Sequence, residues 1–239
     1  EIHQAAFDVG RPHSVCVNRN GVRFVDEACG YDEFGEAMVA DQLKTGANTP
    51  CWLVFDATFR KNYSAGGFMP TIIMPDPIIP PDFWDHYIFR APTLEALAAR
   101  IHVPLDALRQ TIGNMNLYAQ TGVDPEFGRG GNDYDRMFGD PAVTPNPCLG
   151  AIDRAPYYAV PINLGDLGTK GGLKADARAR VIDQDGRPIP KLYAAGNNTG
   201  TPFGNRYPGA GGTIGPAMTF AFVAINDIAE RGSKQEGAR

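Results

Sequence analysis

LYAAGNNTGTPFGNRYPGAGGTIGPAMTF, residues Leu192 to Phe220, starts as a strand, narrows to Ala194, Ala195 and Gly196, crosses a glycine-rich loop and enters a helix. Glycines there leave the backbone N–H groups of the helix start open to close approach by a ligand, which suits an anion or a polarised carbonyl oxygen. Glycines before a helix also serve plain turns. Here the small residues crowd around Asn197, Asn198, Arg206 and Tyr207 more densely than turning the chain requires, which favours a binding role. In the helix itself Pro216 fits an early position, and Met218, Phe222, Ile225 and Ile228 recur at helical spacing, so they read as its buried stripe.

Working upstream, Tyr157 to Ile162, Ala177 to Ile182 and Lys191 to Ala195 read as strands, with a tight turn at Gln184-Asp185-Gly186. The Gly-, Pro- and Asp-rich run from Asp124 to Gly150 marks the expected boundary between a front and a back portion. In the front, Ser14 to Asn18 and Val22 to Asp26 flank Asn20-Gly21 and predict a hairpin. The spacing of Phe34, Met38 and Leu43 predicts a helix from Asp32, as cap, to Lys44 before Gly46. Cys51 to Phe55 reads as a buried strand, and the proline-rich segment from Ser64 to Asp85 as an ordered loop or lid. Two helices follow, one capped by Thr93 and one running from Pro104 to a stop at Gly122.

Composition narrows the classes. With 43% hydrophobic and 21% charged residues over 239 positions, the chain is a folded globular protein and not a disordered or fibrous one. Its 22 basic against 27 acidic residues give a net charge of -5, and no Lys/Arg run is present to track phosphates, so nucleic acid is excluded as a partner. The longest apolar stretches, such as Met218 to Ile228, fall far short of the roughly 20 residues that span a bilayer. Cys16, Cys29, Cys51 and Cys148 form no CxxC pair, and His3, His13, His86 and His102 show no ligand spacing, so no metal is expected. No signal peptide is visible, and reduced thiols point to the cytoplasm.

The Leu192 to Phe220 segment closely resembles the C-terminal flavin-binding stretch of the fumarate reductase/succinate dehydrogenase flavoprotein superfamily, and within it the 3-ketosteroid Δ1-dehydrogenase branch. Asn18 to Glu27 (NRNGVRFVDE) is similar to the hairpin opening that family's substrate domain, Tyr157 to Ile162 to its returning strand, and Gly168 to Asp176 (GTKGGLKAD) to its flavin-side glycine turn. Members begin with a βαβ unit carrying GxGxxG, which these residues lack. The resemblance therefore implies an α+β chain, the C-terminal half of a longer FAD enzyme. Residues 1–153 would form the substrate (cap) domain and 154–239 the C-terminal part of a Rossmann-like FAD-binding domain, with the missing N-terminal half as partner. Gly171, Gly172, Gly196, Asn197, Gly212, Thr213 and Ile214 are the implied FAD-binding residues.

Substrate class follows from the same resemblance. Fumarate reductases carry Arg-Asp four residues beyond their Asn-Glu, where this chain has Tyr31-Asp32 after Glu27, and a His before the two glycines where this chain has Thr169-Lys170. A dicarboxylate site thus loses two ligands. In the ketosteroid branch the Tyr and last Gly of YPGAG, here Tyr207 and Gly211, bind the 3-keto oxygen, and Tyr31 resembles the base that removes the C2 proton while hydride leaves C1 for flavin N5. The expected activity is 1,2-dehydrogenation of a small apolar ketone of the 3-ketosteroid kind. Its rivals are another enone or a fumarate-like substrate, which Arg206 favours, and a non-catalytic assembly module.

Overall fold

The computed structural model describes residues 8–166, 168–169, 171–204 and 206–236; His3, Lys170 and the end of the polar tail lie outside the described residues. Within residues 1–164 a four-stranded antiparallel sheet runs in the order β1 (Ser14–Val17), β2 (Cys51–Phe55), β4 (Tyr157–Ile162), β3 (Phe89–Ala91). Leu53 of β2 lies opposite Cys16 on one side and Val160 on the other. Both faces are covered, which is why CWLVF is apolar throughout instead of alternating. One face packs Cys16, Leu53, Phe55 and Val160 against Phe34 and Met38 of α1 (Tyr31–Thr45) and Phe59 of α2 (Ala57–Asn62). The other packs Val15, Val17 and Val54 against Leu97 of α3 (Leu94–Arg100) and Leu108, Ile112 and Met115 of α4 (Leu105–Thr121).

The helix ends follow elementary chemistry. The Thr93 hydroxyl accepts from Ala96 N at 3.2 Å, and Gly46 and Gly122 close α1 and α4 in the left-handed conformation that favours glycine. α1 begins earlier than expected: Gly30 occupies the cap position, and Asp32 lies in the first turn, where its charge suits the positive end of the helix. Leu43 is 84% exposed and lies off the buried face.

Two larger expectations are corrected. The Asn20-Gly21 turn forms, with Gly21 N donating to Asn18 O at 2.9 Å, but Val22 to Asp26 makes no strand and β1 pairs with β2 instead. Arg23 draws that segment aside into an ion cluster with Glu27 and Asp124. The Asp124 to Gly150 run is not a boundary either. It carries the short α5 (Asp133–Met137), and its Arg129, 1% exposed, donates to the carbonyls of Ser14 and Arg11. The compact units separate after Leu164, not after Asp153, because β4 belongs to the four-stranded sheet.

The proline-rich loop is ordered. It makes 3-10 turns at Asp76–Ile78 and Pro81–Phe83, and the buried Arg60 guanidinium holds it through Asp76, the Met69 carbonyl and, at 2.8 Å, the Met74 carbonyl.

Residues 165–239 form the second unit, a two-stranded antiparallel sheet of β5 (Arg180–Ile182) and β6 (Pro188–Tyr193) followed by a 3-10 turn at Gly196–Asn198 and the long α6 (Ile214–Glu236). Met218, Phe222, Ile225 and Ile228, expected as a buried stripe, are 69%, 72%, 65% and 47% exposed. The face of α6 that is buried in this chain is the opposite one, with Ala224 and Asp227.

Candidate active site

All but one of the candidate residues sit in the second unit, around the start of α6. After β6 the chain passes Ala194 and turns at Gly196, whose φ of +71° is a left-handed geometry that glycine adopts freely. A Cβ on Gly196 would stand 3.2 Å from the Ala217 Cβ, so the small residue lets the turn sit against the first turn of α6. Gly196, Asn197, Gly212 and Thr213 then line one depression together with Thr199, Thr201 and Phe220. A neighbouring depression is lined by Gly211, Gly212, Phe203, Pro208 and Phe220.

The helix start is built for approach. Gly211, at φ +91°, accepts from Gly215 N at 2.8 Å, and Thr213 O accepts from Ala217 N at 3.3 Å, so the coil begins where the glycine loop ends. Pro216 takes an early position, where a missing N–H removes no helical bond. Ile214, the first helical residue, is 66% exposed.

The Gly171–Gly172 turn reaches the same neighbourhood. Leu173 N donates to Asn198 O at 2.8 Å and Gly200 N donates to Leu173 O at 3.0 Å, so the two segments run side by side. Gly172 is fixed by that pairing: a Cβ there would stand 2.2 Å from the Asn198 carbonyl oxygen. Gly171, Gly200 and Gly215 differ, because no atom lies within 4 Å of a Cβ at any of them and none has a left-handed φ. The fold does not require glycine at those three positions. All three stand in open space, Gly200 on the lining of the first depression and Gly215 on that of the second. Gly200 and Gly215 were not among the FAD-binding residues expected from the sequence, although both sit in the glycine-dense segment.

Tyr207 is half-buried in this unit. Tyr31 belongs to the first unit, as the first residue of α1, and is 44% exposed. The segment that presents it is anchored by a buried ion cluster. Glu27, 1% exposed, accepts from Arg23 Nη2 at 2.8 Å, Arg129 Nη1 at 3.2 Å and Cys16 N of β1 at 3.1 Å. Arg23 in turn grips both oxygens of Asp124. Burial raises the Glu27 carboxyl, but the two guanidiniums outweigh it and hold the group below its usual value. Asp26 is pushed up to about 7 by burial and by the like charges of Asp135 and Glu27. The Arg23–Glu27 spacing of four was visible in the sequence; Asp124 and Arg129, a hundred residues away, carried no local signal.

No group of His, Cys, Asp and Glu among the described residues is arranged to hold a metal ion, and none of their helices is long and apolar enough to cross a membrane. All four cysteines are free thiols.

The chain is 41% identical over 229 residues to a 3-oxosteroid 1-dehydrogenase of Mycobacterium tuberculosis, covering 94% of this chain and 40% of that protein. It is 38% identical over 226 residues to a 4-oxocyclohexanecarboxylate 2-dehydrogenase of Sinomonas cyclohexanicum, covering 93% of this chain and 38% of the relative. Among solved structures it superimposes with a TM-score of 0.89 and 48% identity on a 3-ketosteroid delta1-dehydrogenase from Sterolibacterium denitrificans in complex with 1,4-androstadiene-3,17-dione, covering 93% of this chain and 39% of that one. The chain thus spans about two-fifths of the length of the relatives it matches. Residues 3–214 match the family described as FAD binding domain, and the chain belongs to that family.

Proposed function

We propose that this chain is the C-terminal part of an FAD-dependent dehydrogenase that introduces a double bond beside a ring ketone in a 3-ketosteroid-like substrate. The observation that carries the reading is the depression at the start of α6 lined by Gly196, Asn197, Gly200, Gly212 and Thr213, where small residues let a flat ligand approach the backbone. Gly171, Gly172, Gly196, Asn197, Gly212, Thr213 and Ile214 would hold the FAD, with the N–H groups at the start of α6 available as donors to it. When bound, FAD supplies the acceptor for the hydride that leaves C1.

The remaining steps belong to this chain. Tyr207 Oη and Gly211 N–H donate to the 3-keto oxygen, which acidifies the neighbouring C2–H and stabilises the charge that develops on oxygen. Tyr31, as the phenolate, takes that proton and becomes the neutral phenol. A phenol with an ordinary value near 10 needs help to act as a base, and the resemblance assigns that help to a second tyrosine from the N-terminal half. The dinucleotide-binding half also accounts for the exposed stripe Met218, Phe222, Ile225 and Ile228, which it would cover. The first unit, residues 1–164, is then the substrate domain and residues 165–239 the flavin domain, and the free thiols favour a cytoplasmic enzyme.

The cyclohexanone relative supports a second substrate of the same chemistry, a single-ring ketone carboxylate. Purified full-length enzyme tested with 4-androstene-3,17-dione, 4-oxocyclohexanecarboxylate and fumarate, with an artificial electron acceptor or donor, decides. Yellow protein that dehydrogenates the steroid is expected. A colourless protein, or one that turns over fumarate alone, refutes the reading.

A further inference from the structure

α6 is 23 residues long, yet Ala224 and Asp227 are its only buried side chains among the described residues. One buried alanine, with Ala217, Phe220 and Val223 only half-buried, gives little apolar area to fix a helix of that length, so the polar group carries much of its direction. Asp227, 3% exposed, accepts three hydrogen bonds: from Tyr193 Oη at the end of β6 at 2.7 Å, from Arg178 Nη1 just before β5 at 2.9 Å, and from Arg231 Nε one turn along α6 at 2.8 Å. Two of the three donors therefore come from outside the helix, one near each strand of the hairpin. The hairpin end is itself stiffened by Asp176, which accepts from Arg180 Nε at 2.7 Å and from the backbone of Arg178 and Arg180.

Because Tyr193 precedes the Gly196 turn by three residues, the same carboxylate ties α6 to the strand that delivers that turn. The first helical turn, Ile214 to Ala217, lies ten to thirteen residues before Asp227, about 15 to 20 Å along the axis at 1.5 Å per residue. A tilt of about 5° at Asp227 therefore moves Ala217 by about 1.3 Å, enough to open its approach to Gly196.

We propose that Asp227 is a positioning residue for the candidate flavin site: its bonds to Tyr193 and Arg178 aim the first turn of α6 at the depression lined by Gly196 and Asn197. The proposal rests on the flavin reading above for its consequence, but not for its geometry. Its effect on a bound ring is electrostatic, since the positive end of a correctly aimed helix favours the electron-rich reduced form.

The test compares wild-type full-length enzyme with Asp227→Asn, Tyr193→Phe and Arg231→Gln. The first weakens all three bonds and the others remove one each, so a failure of Asp227→Asn to fold still leaves two variants. FAD affinity, the midpoint potential of the bound flavin and amide exchange at Gly215 and Ala217 are measured. Expected for Asp227→Asn are FAD binding weaker by about tenfold, a lower midpoint potential, and faster exchange at both amides, with Tyr193→Phe intermediate and Arg231→Gln least affected because its donor lies on α6 itself. Lower melting temperatures with unchanged FAD affinity, potential and exchange would make Asp227 merely structural and overturn the proposal. A wild-type enzyme that binds no flavin refutes the flavin reading alone. In that case the exchange at Gly215 and Ala217 decides the lock by itself, and wild-type rates in Asp227→Asn and Tyr193→Phe overturn it.

Discussion

Replacing Gly172 by alanine separates a glycine the fold needs from those it leaves free. The new Cβ would stand 2.2 Å from the Asn198 carbonyl oxygen and 2.9 Å from Thr199 N, both backbone atoms that no rotamer change can clear. Relief requires the two segments to move apart by about 1 Å, to a normal contact. That breaks the 2.8 Å bond from Leu173 N to Asn198 O and the 3.0 Å bond from Gly200 N to Leu173 O. At about 1 kcal/mol net for each, the loss is about 2 kcal/mol, which for a unit of this size lowers its melting temperature by about 8 to 16 °C. Gly171→Ala meets nothing within 4 Å and serves as the control: its melting temperature should match wild type, while its FAD affinity falls. Thermal unfolding followed by circular dichroism, with a parallel flavin titration, reads both. A Gly172→Ala protein that melts with wild type refutes the steric argument, and a Gly171→Ala enzyme that binds FAD normally refutes Gly171 as an FAD-binding residue.

Tyr31→Phe in the full-length enzyme should lower kcat on a 3-ketosteroid by about two to four orders of magnitude with substrate binding largely kept, whereas Tyr207→Phe should cost about a hundredfold and also weaken 3-keto ligands relative to analogues lacking the ketone; full activity in Tyr31→Phe would remove it as the base. Glu27→Ala leaves Arg23 and Arg129 facing each other in a buried site and should destabilise the first unit by about 3 to 5 kcal/mol in chemical denaturation, a loss that a surface-like value below about 1 kcal/mol would contradict. Asp26 holds its proton in the folded state up to about pH 7 and in the unfolded chain only to about pH 4, so it makes stability fall as pH rises through that window; Asp26→Asn should flatten the fall, and an unchanged pH profile would show that the carboxyl is not strained.

Local chemistry was legible wherever local rules decide. Thr93 and Gly122 mark their helix ends in sequence and in structure, and CWLVF announces a strand covered on both faces. The glycine segment before α6 gave its geometry away because positive φ and close approach demand glycine. Long-range chemistry hid. Nothing near Arg23 signals that Asp124 will take it from an expected hairpin, since a buried ion cluster is assembled from residues a hundred positions apart. The stripe on α6 was read correctly as apolar but its burial was not, because periodicity names a face and not what covers it. The separation of Gly171 from Gly172 was equally out of reach: two adjacent glycines differ only in what the Asn198 segment does beside them.

The order of the strands in the first unit has a consequence for synthesis. β2 is a central strand, yet only its β1 edge is satisfied by residues made before it; the other edge, and every partner of β3, waits for β4, about a hundred residues later. A nascent chain that ends before Tyr157 therefore exposes an unpaired edge on a segment apolar on both faces, the kind of template on which other chains add. Translation through Ile162 ends that hazard, so the interval between the ribosome's passage of β2 and of β4 is when a holding chaperone has most to do. Slower elongation over α3 to α5 should raise the aggregated fraction, whereas the same slowing after Ile162 should not.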